Sequence, residues 1–269
     1  MIIRRWLMLK IIIKNRYLLG QLTKKDIELK YKGSVLGLLW SALVPIFMLT
    51  IYTFMFSSIF TPTWNIETSG KGDFALILFC GLSVFNMISD VMGRSTGLIA
   101  GNVNYVKKVI FPLELLPVSI TLSALFNSVI SFAILVIMKL ILQHTISITL
   151  VFIIPAFIPL ILFTIGLSLI ISAISVYLKD IASAISVVIT LLMYVSPVFF
   201  PLGSGPEIFR VVCRLNPITY IIENFRNVTL YGKMLDMEFY FISCICAVVS
   251  MWIGSTVFRR AKEGFADVL

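Results

Sequence analysis

Aromatic side chains carry the most regular pattern in this sequence. Trp40, Phe47 and Phe54 recur every seven residues, Tyr52, Phe56 and Phe60 recur every four on another face, and Tyr194, Phe199 and Phe200 stand close together further on. An aromatic face can stack on the C–H face of a sugar while offering few hydrogen bonds, so a chain can slide past it. The same residue types also serve as lipid-facing bulk and interface anchors, and spacing alone leaves both uses open. The titratable groups offer less. The sole histidine, His144, sits beside Gln143 in a short polar turn, and the acids are scattered with no pair at metal-ligand spacing. The four cysteines, Cys80, Cys213, Cys244 and Cys246, suggest neither a disulfide framework nor a zinc site. The phosphate-cradling pattern Gly-x-x-x-x-Gly-Lys-Ser/Thr does not occur. Asp90 and Arg94 stand one helical turn apart. They read either as a local ion pair at a membrane interface or as the site of a proton-coupling carboxylate.

These residues need elements to hold them. Of 269 residues, 59% are apolar and 13% charged, against roughly 45–50% and 25% in soluble domains. A compact soluble fold cannot hide that much apolar surface. The composition therefore excludes a soluble enzyme, a disordered chain and a disulfide-stapled secreted domain. It predicts an all-α membrane protein. Six stretches reach the roughly 20 residues a span requires: 35–60, 74–93, 116–142, 148–176, 181–200 and 239–258. Residues 1–33 then form a cytoplasmic interface-helix region, and 34–269 a six-helix transmembrane domain. No cleavable leader is expected, because Arg4, Arg5, Lys10, Lys14 and Arg16 interrupt the first apolar run and no small-residue cleavage motif follows.

The net charge of +9 is read as membrane topology and not as nucleic-acid binding. Sixteen of the 22 lysines and arginines fall before the first span, between spans two and three, between four and five, and after the sixth. Lys71, Lys139, Arg210, Arg214, Arg226 and Lys233 fall on the other side. The positive-inside bias then puts both termini in the cytoplasm. Thr23-Lys24-Lys25-Asp26 resembles a helix start, with Thr23 and Asp26 as caps. Ile27 and Tyr31 share a face of that helix, and Lys24, Lys25 and Lys32 meet water or lipid phosphate. The expectation is an amphipathic helix in the membrane surface; a solvated basic tail is the plainer reading. On the outer side, Gly205-Pro206 and Asn216-Pro217 each suit the first turn of a helix, and Gly232 suits a helix end. Two short re-entrant amphipathic helices over about 206–231 fit this pattern, as does an ordinary outer loop. Gly93, Gly97 and Gly101, like Gly33 and Gly37, have the spacing of close helix packing. Pro155 and Pro159 suggest a kink in the fourth span.

Several runs together resemble bacterial type-2 ABC export permeases for lipid-linked polysaccharides (O-antigen, capsule, teichoic acid). They are TKKDIELKYKGSVLGLLW from Thr23 to Trp40 with Pro45 following, KKVIFPLELLP from Lys107 to Pro117, VYLKD from Val176 to Asp180, SPVFFP from Ser196 to Pro201, NPITY from Asn216 to Tyr220, and FADVL from Phe265 to Leu269. They cover nearly the whole chain in order. The resemblance implies a homodimer that forms the path and two copies of a separate ATPase docked below. ATP and Mg2+ are held by that partner, with no cofactor in this chain. The N-terminal helix and the loop around 99–111 become the docking surface, with Asn102, Val103, Asn104, Tyr105, Val106, Lys107 and Lys108 as coupling residues. Spans one and five line the path, with Trp40, Phe47, Phe54, Tyr194 and Phe199 as candidates. The outer helices form a periplasmic gate carrying Phe209, Asn216, Pro217, Tyr220 and Phe225. The expected activity is export of an undecaprenyl-linked polysaccharide, O-antigen first, across the inner membrane, in service of lipopolysaccharide synthesis. A type-2 permease for a small lipid-like or drug substrate is the nearest alternative. A membrane glycosyltransferase is disfavoured by the missing acidic metal motif.

Overall fold

The computed structural model describes residues 7–58, 72–107, 111–203 and 206–269. Among these the secondary structure is helical throughout. The helices are α1 (Leu7–Lys14), α2 (Arg16–Tyr31), α3 (Trp40–Ser58), α4 (Asp73–Ser95), α5 (Val103–Val106), α6 (Leu115–Gln143), α7 (Ile153–Ser175), α8 (Ile181–Val195), α9 (Glu207–Leu215), α10 (Pro217–Thr229), α11 (Met237–Ala261) and α12 (Phe265–Val268). Arg4, Arg5, Phe60, Lys71, Lys108 and Gly205 lie outside the described residues.

Among the described residues, five helical stretches are long and apolar enough to cross a bilayer: Gly37–Met55, Asp73–Ser95, Leu115–Gln143, Ile148–Ser175 and Met237–Val268. The expected span over 181–200 is a shorter apolar helix, α8, of 15 residues. At about 1.5 Å per residue it is short of a hydrocarbon layer of ~30 Å. It stops at Val195 because Pro197 disfavours helical geometry in the residue before it, and Ser196 is accordingly extended (φ −85°, ψ 144°).

The expected helix start at Thr23 is corrected. α2 begins at Arg16, and Thr23 lies inside it with its hydroxyl donating back to the Leu19 carbonyl at 2.9 Å. The reason is tertiary. Leu19 and Leu22 are buried in an apolar cluster with Ile99, Leu113, Leu115, Phe258 and Phe265, and that face extends the helix upstream of the capping pattern.

α4 is the most deeply buried span and α3 the least. α4 packs against α3, α6, α7, α8 and α10, and α11 lies along α7. Phe132 of α6, Phe157 of α7 and Phe225 of α10 close the core beside α10, with ring centroids 4.6–5.4 Å apart. Pro159 lies inside α7, while Pro155 falls in its first turn, where a missing N–H leaves no bond unmade.

The glycine repeats do not mark the close contacts. A Cβ at Gly93, Gly97, Gly101, Gly33 or Gly37 would meet nothing within 4 Å. The close approach is between α7 and α11. A Cβ at Gly166 would collide with Ser250, and one at Gly254 with the Gly166 carbonyl. The buried side of α11 is Ser243, Ala247, Ser250, Gly254 and Phe258, a small-residue stripe of the kind that brings helix backbones together.

Candidate functional site

The helix ends beside α2 form a platform tied together by charge. Arg94, in the last turn of α4, pairs with Asp26 of α2 and with Asp90 one turn back, the latter at 3.4 Å. Lys30 of α2 approaches both carboxylate oxygens of Asp90 at 3.4 Å. Asp90 therefore sits between two cations. The ion pair expected within this helix is present and is shared with the N-terminal helix. Each of these side chains is partly solvated, so the network is worth more as a positional lock than as stability. Tyr31 adds a third tie, donating to Asn127 Oδ1 of α6 at 2.8 Å. Burial, and then the negative charge of Asp90, push the Tyr31 phenol above its ordinary pKa.

Between α4 and α6 runs the loop that holds the coupling candidates. It turns through a short 3-10 segment, Ala100–Asn102, into α5. Asn102 donates to the Leu98 carbonyl at 2.8 Å. Tyr105 stacks on Phe111 at 4.4 Å, with the Lys25 ammonium 5.8 Å above its ring. Val103 and Val106 are half-buried, whereas Gly101, Asn104 and Lys107 are exposed. Their three-residue spacing leaves one side of this turn uncovered. Glu114 ends the loop and is buried, receiving a hydrogen bond from Lys262.

The aromatic candidates lie on the two helices that flank α4. Trp40, Phe47 and Phe54 on α3 are all exposed, as are Tyr194 at the end of α8 and Phe199 just beyond it. α8 has two uncovered sides. Ala184, Val187, Val188 and Leu191 make one apolar, while Ser183, Ser186, Thr190 and Tyr194 place four hydroxyls on the other. The C-terminal half of α4 is different again. Its uncovered or half-covered residues are Asn86, Ser89, Asp90, Gly93 and Arg94, and none is apolar. A face made for acyl chains would be apolar, because lipid satisfies no hydrogen bonds. This stripe is built to meet water or a polar guest.

The outer gate candidates fall into two groups. Asn216 caps α10, its Oδ1 accepting from the Ile218 N–H at 3.0 Å while its Nδ2 donates to Ser196 Oγ at 2.9 Å. Pro217 takes the first helical position. Tyr220 donates to the Arg214 carbonyl at 2.6 Å and meets the Phe239 ring edge-on at 5.2 Å. Phe209 packs on Phe200 at 5.1 Å. Phe225 is wholly buried, so it anchors α10 rather than facing a path. On α9, Ile208, Val211, Val212 and Leu215 form an exposed apolar side beside Glu207, Arg210 and Arg214.

Two cations that the charge count assigns to an outer surface are buried. Arg226 is fully covered, donating to the carbonyls of Val198 (3.0 Å) and Ile77 (3.4 Å) and to Glu223 Oε1 (2.8 Å). It fits because Gly81 of α4 faces it: a Cβ there would lie 2.9 Å from Nη2. Lys139, near the C-terminal end of α6, donates to the Thr229 and Leu230 carbonyls at 2.9 and 3.2 Å, and Thr149 donates to that of Val228. A cation on the free carbonyls at the end of α10 also meets the negative end of the helix dipole. The sequence signal for Arg226 is its spacing from Glu223, which alone does not distinguish a buried pair from a surface one. Near the same helix, burial pushes the Tyr231 phenol up to about 12.

A family model described as ABC-2 type transporter matches residues 17–230. An O-antigen export system permease protein RfbA from Klebsiella pneumoniae is 26% identical over 96% of this chain and 99% of its own length. One of the same name from Myxococcus xanthus is 26% identical over 94% and 95%. The polysialic acid transport protein KpsM from Escherichia coli is 22% identical over 89% and 91%.

Proposed function

The chain belongs to the ABC-2 type transporter family, and from that premise we propose that it is the permease subunit of a polysaccharide exporter. Its substrate in this reading is an O-antigen-like glycan on an undecaprenyl carrier, moved from cytoplasm to periplasm across the inner membrane. The observation that carries the reading is the likeness to export permeases along nearly the whole chain. The uncovered faces agree with it. Two copies with α3 and α8 toward each other would enclose aromatic faces, hydroxyls and the polar stripe of α4 in one path. A polymer must move without a deep energy minimum anywhere along its route. Aromatic stacking tolerates changes of register, and uncharged hydroxyls exchange hydrogen bonds with sugars at little net cost.

Energy comes from two copies of a separate ATPase that holds ATP and Mg2+. It docks under α2 and the loop bearing Asn104 and Lys107. In this reading α2 lies along the inner membrane surface, and α9 with α10 forms a gate that dips into the outer leaflet. α8 with the turn after it makes the sixth crossing, and both termini are cytoplasmic.

Two experiments test the reading. Leucine at Trp40, Phe47, Phe54, Tyr194 and Phe199 keeps apolar bulk and removes the stacking faces. Export is expected to fall by roughly tenfold, the scale of losing one or two contacts of ~0.5–1.5 kcal/mol, while the chain still assembles with its ATPase. Unchanged export would make these residues packing or lipid contacts only. Separately, a flexible linker in place of residues 102–108 is expected to abolish export without preventing membrane insertion. Normal export from that variant would remove the loop as the docking contact.

A further inference from the structure

We propose that the segment following α11, Lys262–Val268, is a positioning element that sets the height and angle of the inner loop. The inference rests on the docking role proposed above for that loop, and it gives this segment a part in energy coupling.

The loop is held at its start by Arg94 on Asp26 and at its middle by the stack of Lys25, Tyr105 and Phe111. Its far leg has a different holder. Glu114, the last residue before α6, is 3% exposed. It faces Lys262, whose ammonium donates to Oε1. A buried carboxylate is costly unless paired, so Glu114 and Lys262 are bound to stay together as either element moves.

The segment carrying Lys262 is itself fixed. Phe265 is wholly buried, edge-on to Phe258 at 5.6 Å and beside Tyr177 at 6.1 Å. The Tyr177 hydroxyl donates to the Ala261 carbonyl at 2.6 Å. A Cβ at Gly264 would lie 2.7 Å from that hydroxyl, so glycine is what lets the chain pass beneath Tyr177. Phe265 also shares its apolar cluster with Leu19 and Leu22 of α2 and with Ile99 and Leu113 at the two legs of the loop. The loop thus rests on α2 at one side and on this segment at the other. Through Tyr177 the second support joins the turn between α7 and α8. A push on the loop therefore reaches α6, α7 and α11 together, in addition to α4.

The test uses the tagged chain purified with the ATPase that accompanies it and reconstituted into liposomes with the lipid-linked glycan. The measured quantity is glycan moved per ATP hydrolysed. Lys262→Met removes the charge and keeps the stem, and Phe265→Ala removes the anchor. Each is expected to lower that ratio by roughly fivefold or more, the lower end of typical coupling between sites, with ATP turnover persisting. Lys262→Arg keeps the pair and is expected to restore the ratio. A purely structural role would lower the yield of complex and leave the ratio of the surviving complex unchanged; that outcome, or a normal ratio in Lys262→Met, overturns the proposal. The linker variant of residues 102–108 separates the two ideas. If it stays coupled, the docking reading fails. If it is uncoupled while Lys262→Met and Phe265→Ala are normal, only the positioning role fails.

Discussion

Gly254→Val is expected to leave almost no folded protein in the membrane. The α7–α11 seam is the tightest contact between spans, and the Gly254 Cα faces the Gly166 carbonyl with no room for even a methyl group. The neighbour is backbone, so no rotamer change relieves the clash; the two helices must separate along their length. Overpacking a well-filled core costs typically 1–3 kcal/mol, and a clash against backbone sits at or above the top of that range. Separation also breaks the bond from Ser250 to the Phe163 carbonyl. The measurement is the thermal midpoint and monodispersity of the detergent-solubilised chain. Gly93→Ala is the control, because a Cβ there meets open space, and its midpoint should not move downward. Equal midpoints for Gly254→Val and the parent chain would show that the seam is not tight.

Arg226→Met should loosen the outer helix α10 from the bundle. The substitution keeps much of the side-chain volume but leaves the Val198 carbonyl and Glu223 without their donor. Removing one member of a buried charged pair costs about 3–5 kcal/mol. Cys80 reports the result directly. Its thiol is fully buried and lies 3.6 Å from the Thr229 hydroxyl on α10. In a background where Cys213, Cys244 and Cys246 are replaced by alanine, a maleimide should label Cys80 much faster in Arg226→Met than with arginine present. Equal labelling rates would mean that α10 does not depend on Arg226. Lys139 still holds the far end of α10, so the helix should loosen without leaving the bundle.

Long apolar runs made the spans legible: α4, α6 and α11 each begin and end within about three residues of the stretches read from hydropathy alone, whereas α7 begins five residues late because Ile148–Phe152 forms a 3-10 turn ahead of it. The proline-capped starts of α9 and α10 were equally readable, because proline at a first turn acts locally. What sequence could not show depends on partners far along the chain. The capping pattern at Thr23 was overridden by Leu19 and Leu22, whose cluster forms only once the inner loop and the segment after α11 arrive. Gly93, Gly97 and Gly101 have the right spacing for close packing, but only Gly93 lies on α4, the other two follow its end, and a Cβ at any of them meets open space. The true seam uses Ser250 and Gly254, the same four-residue interval with serine as one of the small residues. Arg226 and Lys139 looked like outer-surface charges because nothing in their neighbourhood marks the carbonyls of Val198 and Thr229 as their targets. Of the aromatic candidates, the heptad placed the three on α3 on one stripe, and they are exposed together; Phe225 differs because its neighbours are two rings from other helices.

The polar stripe on the C-terminal half of α4 also bears on how cells keep subunits in balance. A newly inserted copy on its own would turn the Asn86 amide toward hydrocarbon, where an unmet polar group costs several kcal/mol, while the Ser89 hydroxyl keeps its bond to the Asn86 carbonyl. In the two-copy arrangement proposed above, the lone copy is therefore the strained species, and the pair, with that stripe facing a wet interior, is the relaxed one. Surplus copies would carry their own mark for disposal: a hydrophilic blemish that membrane quality control can read without recognising any sequence.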